Sequence, residues 1–406
     1  MGHAIDGGGS EVPMHSAQEG VRLEHPVELH SGKYYINAIR NELPRDVFRR
    51  VPSRLLWLPV HVVIIAAGWW AIIALEPHWS LMLLASLVIG HSYACLSFVG
   101  HELLHDSIIR RGPLQSLLGW ICFLHYWIGP EHWRRWHNHE HHQKTSHPGF
   151  DPDTFGNLAV YRRIGVHRAI EPLGPGSGCL RSIPYFFYFF SFQSLVVLFF
   201  HSKRLEYWTP PQRRKVLAQW WTAVLLWVGV AAAVGLKCFA FIYLLPLGVA
   251  NAIQMSYIAT NHFLNPETRD TNDPLLNSLT VSVGPLARLL HLNFNYHVEH
   301  HVLPSMNPRH APLVRDLLVR KFGDRYHEMP HWKAIYWLYR TPRVHWDADH
   351  LVNPRTGTLY HTIEPGQPPR LERRLPVPVP RPRAEEILGT CERLAKKPAG
   401  PRLAVS

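Results

Sequence analysis

Acidic residues are in short supply: 30 Asp and Glu stand against 42 Lys and Arg in 406 residues, a balance of +12 with a pI near 9.6. An excess of that sign attracts either nucleic acid or an anionic membrane surface. Cysteine is scarce as well. Cys95, Cys122, Cys179, Cys238 and Cys391 contain no CxxC pair, so no disulfide framework is implied, and those in apolar runs behave as small hydrophobes. The first fifty or so residues are polar, with a start rich in glycine (Gly7, Gly8, Gly9), and they lack an apolar core followed by a small-residue cleavage site. No secretory signal peptide is expected there. A solenoid repeat is absent. Gly174-Pro-Gly176-Ser-Gly178 is no dinucleotide fingerprint, since no strand precedes it and no suitable helix follows. His147-Pro148-Gly149-Phe150 lacks the second glycine of a cytochrome-b-type haem signature.

Long apolar runs are present in quantity, and they decide between the two kinds of basic partner in favour of the membrane. Leu55 to Leu75 and Trp79 to Val99 are each of bilayer-spanning length. Only Glu76, Pro77 and His78 separate them, so the pair reads as a hairpin of two helices crossing in opposite directions. Leu217 to Gly235 and Cys238 to Ile258, joined by Leu236 and Lys237, repeat the plan. Pro184 to Phe200 is aromatic and nearly long enough to span. A crossing there would put Lys203, Arg204, Arg213, Arg214 and Lys215 outside, against the positive-inside tendency, and would split the histidines between two sides. It is therefore read as an interfacial helix, as is Leu114 to Ile128. The expected fold is all-α integral membrane: four transmembrane helices in two hairpins with a helical cap. Arg40, Arg45, Arg49, Arg50 and Arg54 before the first helix place the cap and both termini on the cytoplasmic side. The chain divides into an N-terminal cytoplasmic segment (1–54), a membrane and cap domain (55–364) and a Pro/Arg-rich tail (365–406) expected to be disordered.

Histidine is the most telling residue: 29 of them nearly equal the acidic total, and many lie in three short windows, which points to a transition metal. His101-Glu-Leu-Leu-His105 puts two imidazoles on one helix face. Alone, that pattern is equally the signature of a zinc metalloprotease with Glu102 as general base. In Trp136-His137-Asn138-His139-Glu140-His141-His142, a helix lets His137, His141 and His142 converge while His139 points away. His297-Val-Glu-His300-His301 has the same character, and His262 follows the last apolar run. A zinc peptidase needs about three protein ligands and a structural zinc about four. Nine imidazoles exceed both, whereas two iron ions with positions left for oxygen use them well.

The three windows in this order, with one hairpin before the first and another between the second and third, resemble the histidine boxes of the membrane fatty acid desaturase family. The resemblance runs from about Leu55 to Pro312. It implies a di-iron centre held in a cytoplasmic cap by His101, His105, His137, His141, His142, His297, His300 and His301, with His262 matching a lone histidine of some members. It also implies molecular oxygen as oxidant, a lipid acyl chain as substrate and a separate electron donor, a ferredoxin or cytochrome b type with its reductase. Two departures stand out. The middle box has three residues between His137 and the pair, where two are commoner, so His139 could replace one of the ligands. Acyl-CoA desaturases carry asparagine four residues before the lone histidine, where this chain has Ile258; Asn261 is nearby.

An unactivated methylene has no acidic proton, so the cofactor performs the difficult step and the protein positions the chain. Glu102, Asp106, Glu140, Asp151, Asp153 and Glu299 are candidates to accept the second ring N–H of the ligands. His61 and His91, inside spanning helices, read as structural; His125, His132 and His139 read as surface or cap residues. Trp69, Trp70, Trp79, Trp127, Trp220 and Trp221 read as interfacial belt and packing. The reaction expected is acyl-lipid desaturation. Within the same fold, hydroxylation or ketolation of a lipid or carotenoid needs only a different fate for the substrate radical. A membrane zinc peptidase and a non-enzymatic metal-storing or metal-transporting protein are the readings from other classes, and nucleic acid is not an expected partner.

Overall fold

The computed structural model describes residues 27–268 and 271–377. Cys391 and 378–406 of the basic tail lie outside the described residues. Helices dominate, and among the described residues four helical runs are long and apolar enough to cross a membrane: Pro52–Leu75, Trp79–Leu104, Tyr185–Arg204 and Pro210–His262.

After a short α1 (Gly32–Ile39), α2 (Trp57–Leu75) and α3 (Trp79–Leu104) reverse direction at Glu76, which caps α2 in the left-handed region at φ 40°. Gly68 lies against Ile89, the match expected for antiparallel neighbours. Much of α2 is exposed and apolar, including Val63, Trp70 and Leu75, a surface that lipid and not water suits. α3 is the central helix, buried almost continuously from Ile89 to Leu104. Small residues set its approaches. A Cβ on Gly90 would stand 2.5 Å from the Val249 Cβ, and one on Gly100 would stand 2.7 Å from the Cys122 Cβ on α4 (Pro113–Phe123). Glycine lets two backbones close in this way where a larger residue would hold them apart.

The 53-residue run Pro210–His262 is not one straight rod. Gly235 at φ 76°, ψ 158° breaks it. Trp227 then stacks on Tyr243 with ring centroids 3.8 Å apart, although sixteen residues of straight helix would separate them by about 24 Å. The chain therefore turns back at Gly235, the only residue type that takes this conformation without strain. The last part, Leu245–His262, packs along α3 and ends at the histidines.

Tyr185–Arg204 differs from the interfacial expectation in one respect: its length and apolar character qualify it to cross. It is irregular, passing from 3-10 (Tyr185–Phe187) through α (Phe189–Val196) to π (Val197–His201). Near its start Tyr339 donates to the Ser182 carbonyl and its ring meets Phe186, and at its end Arg204 donates to the Gly149 carbonyl. The second interfacial expectation coincides with α4, which exposes Leu114, Leu117 and Ile121 and buries Cys122 and Phe123.

Two small sheets interrupt the all-helical expectation. β1 (Thr280–Ser282) pairs in parallel with β2 (Glu328–Pro330), and β3 (Val344–His345), β4 (His350–Val352), β5 (Thr358–His361) and β6 (Arg370–Arg374) form an antiparallel sheet in sequence order. Arg370–Arg374, inside the tail expected to be disordered from residue 365, is therefore a paired strand. β6 exposes every side chain and is held by its ladder with β5. Composition tests for buried apolar surface, whereas an edge strand of charged residues needs backbone hydrogen bonds and keeps its charges in water.

Candidate metal centre

α3 runs past its apolar part and delivers His101 and His105 on one face. The second window is a π-helix, Arg134–His141, in which the His142 N–H reaches back five residues to the His137 carbonyl at 3.0 Å. That wider turn is the reason His142 comes round to His137, their Nε2 atoms 3.1 Å apart. An α-turn leaves residues five apart well off a common face, so the sequence reading had the convergence but assumed the wrong helix. His139 is exposed and outside the cluster. The third window is a six-residue α-helix, His297–Val302, entered through Leu292 and Asn293 in the left-handed region at φ 54° and 63°. Asparagine tolerates that region; leucine does so only under strain, a feature that gathers at functional sites.

Five imidazoles form one shell: His101, His105, His137, His142 and His300. Their Nε2 atoms run His101 to His137 at 3.0 Å, His137 to His142 at 3.1 Å and His142 to His300 at 3.0 Å. The Nε2 of His105 is buried without a hydrogen-bond partner, and its ligand atom lies within 4.8 Å of those of His101, His137 and His300. Four imidazoles form a second shell: His141 to His301 at 3.2 Å, His297 to His301 at 3.1 Å and His262 to His297 at 2.7 Å. The shells adjoin where the rings of His142 and His301 stand 4.4 Å apart. All nine sequence-selected histidines are thus brought together.

Electrostatics explains what such a group of rings can hold. Burial holds His105, His137, His142, His297 and His301 well below the ordinary histidine range, with neighbouring imidazoles adding to it, and pushes His300 down to about 3. The rings are neutral at pH 7 and offer lone pairs. For His141, burial also opposes the proton, but Asp151 and Asp153 together outweigh it and raise the group. Its Nδ1 lies 3.0 Å from Asp151 Oδ1 and 3.3 Å from Asp153 Oδ2, so that nitrogen donates and Nε2 is the atom turned towards the other rings. One nitrogen carries at most one hydrogen, so a row of Nε2 contacts cannot all be hydrogen bonds. Converging lone pairs repel unless a cation sits among them. Two nitrogens bound to one ion at about 2.1 Å and at right angles lie about 3 Å apart, which matches the observed spacings. The residues fit metal ions.

The outer contacts divide the six predicted carboxylates. Glu102 lies 3.3 Å from His101 Nδ1 and accepts from Ser107; it sits behind its histidine and is not free to act as the base of a peptidase. Asp151 and Asp153 hold His141, and Asp153 also accepts from Trp136 Nε1 at 3.0 Å. The other three bond elsewhere, a correction to the prediction. Asp106 accepts from Gln115, Glu140 pairs with Arg135 and Lys144, and Glu299 accepts from Thr280 and Tyr326. Burial raises the Glu299 carboxyl to about 7. Sequence gave no signal for two partners that do contact the rings: the Asn277 carbonyl at 3.2 Å from His262 Nδ1, and Thr145 Oγ1 at 3.3 Å from His301 Nδ1. His125 and His132, read as surface or cap residues, are buried and stay outside the shells.

A narrow cavity reaches the shells. His101, His137, His141, His262 and His297 meet Phe123, Trp133, Trp136, Phe190, Ile258 and Phe294 there. The match to known proteins agrees with this geometry, for the fatty acid desaturase family covers residues 77–333. The chain belongs to that family. As a member with four runs apolar enough to span a bilayer among the described residues, it is an integral membrane protein. An sn-1 oleoyl-lipid 12-desaturase from Picosynechococcus sp. is 30% identical over 142 residues, 33% of this chain. The match spans 40% of that relative's length.

Proposed function

We propose that this desaturase-family chain is an oxygen-dependent fatty-acyl lipid desaturase with two irons, one in each imidazole shell. The observation that carries the reading is the convergence of nine imidazoles beside a small cavity lined by aromatic side chains. His101, His105, His137, His142 and His300 would hold one iron, and His141, His262, His297 and His301 the other. Iron bound there, with O2, two protons and two electrons from a separate ferredoxin or cytochrome b type donor, would supply the oxidising power to remove two hydrogens from neighbouring methylenes, with two waters as the other products. The chain's own residues position and exclude. Trp133, Trp136, Phe190 and Phe294 confine an acyl chain so that chosen carbons face the shells, and their apolar surface keeps water out. Asp151, Asp153 and Glu102 keep protons on the outer nitrogens of His141 and His101, which fixes the lone pairs inward.

The basic residues before α2 support a cytoplasmic position for the shells and both termini. The deciding experiment expresses the protein with defined acyl lipids and follows product mass. Loss of two hydrogens with about two irons per chain is the expected result. Gain of one oxygen would make the enzyme a hydroxylase or ketolase, and a single zinc per chain would end the di-iron reading.

A further inference from the structure

A second group of metal-type donors lies on and beside α3, away from the nine imidazoles. His91 precedes His101 by ten residues, about 15 Å along the helix, and its Nε2 faces His291 Nε2 at 3.4 Å. Cys95 Sγ is 3.6 Å from His91 Nδ1 and 4.0 Å from its Nε2. One ligand atom from each of the three falls within 4.8 Å of the others. Sequence took His91 for a structural hydrogen-bonding residue, but 3.4 Å is too long for a good hydrogen bond between ring nitrogens. Tyr257 Oη stands 2.9 Å from His291 Nδ1. That contact fixes the ring and leaves its Nε2 lone pair aimed at His91, the arrangement in which outer partners orient metal-binding histidines.

Of the three donors, His291 also lines a cleft. An open cleft of about 580 Å³ is lined by Ser256, Tyr257, His291 and His331. Ionisable groups at membrane depth are costly and persist where they face a cavity or serve a function.

We propose that His91, Cys95 and His291 form a metal site separate from the histidine shells, taking a thiophilic ion such as zinc and leaving a fourth position open towards the cleft. Thiolate with two imidazoles is a donor set suited to zinc, and three protein ligands with one open position describe an accessible site and not a closed structural one. Binding replaces the Cys95 thiol proton, which is released to bulk solvent as the S–metal bond forms.

The test uses the full chain purified in detergent, equilibrated with micromolar zinc, with zinc and iron measured in the same sample. One zinc per chain is expected beyond the iron, and Cys95→Ala and His91→Gln each weaken its retention at least about tenfold while iron content stays unchanged. Cobalt loaded in place of zinc should give a thiolate-to-cobalt absorption band that Cys95→Ala abolishes. The proposal is overturned if zinc stays at background, if it binds both variants as well as the parent, or if it enters only as iron leaves. Iron content reports on the di-iron reading separately, so failure of one does not count against the other.

Discussion

At the residue scale, what matters is how each imidazole is aimed. His141 has the most strongly held ring, with two carboxylates on one nitrogen. Asp151→Asn keeps the shape but removes the charge, so the ring loses its preference for a proton on Nδ1. We expect a 10- to 100-fold loss in iron affinity or desaturation, the usual scale for an outer-shell partner, measured by iron retention and product formation. Glu140→Gln should leave both unchanged, because Glu140 pairs with Arg135 and Lys144 and not with a ligand. An equal loss in the two variants would mean that charge near the shells, and not ring orientation, is what counts.

The helical elements solve one problem in two ways. His297, His300 and His301 use an α-helix, in which residues three and four apart share a face. His137, His141 and His142 carry one more residue and use a π-helix to reach the same convergence. Removing exposed His139 should convert the second arrangement into the first. The shortened chain is expected to keep at least half of its iron, measured by metal analysis; complete loss would show that the π-turn does more than absorb a residue. Gly90 offers a different test, since α3 and Leu245–His262 touch there with no room for a Cβ. Gly90→Val should lower stability by about 1–3 kcal/mol through overpacking, seen as a lower thermal midpoint in detergent. His101 and His262 stand on the two helices that this contact aligns, so iron content should fall with it.

Across the whole molecule, buried neutral histidines set an acid limit. Burial alone pushes His132 down to about 3; burial, aided by Arg325, does the same to His327. Both are 6.5 groups when unfolded, so below pH 6.5 the unfolded chain takes up protons that the native chain refuses. The metal-free protein should lose stability progressively as pH falls from about 6.5 towards 3, and replacing both residues by Gln should flatten that slope. Thermal midpoints measured between pH 7 and 4 give the comparison.

Membrane character, the ordered histidine windows and the nine imidazoles were legible in the sequence because each is local: a run of apolar side chains, or donors spaced on one helix. Three things were not local. The π-turn at His137 is a backbone choice that the same residues could have declined. The pairing of β6 rests on ladder bonds that composition does not record. The approach of His291 to His91, two hundred residues apart, exists only once α3 and the segment before the third window have packed. Sequence thus determined which groups were available for metal chemistry; tertiary packing decided which of them share a shell, because the distance between lone pairs is set by how helices meet.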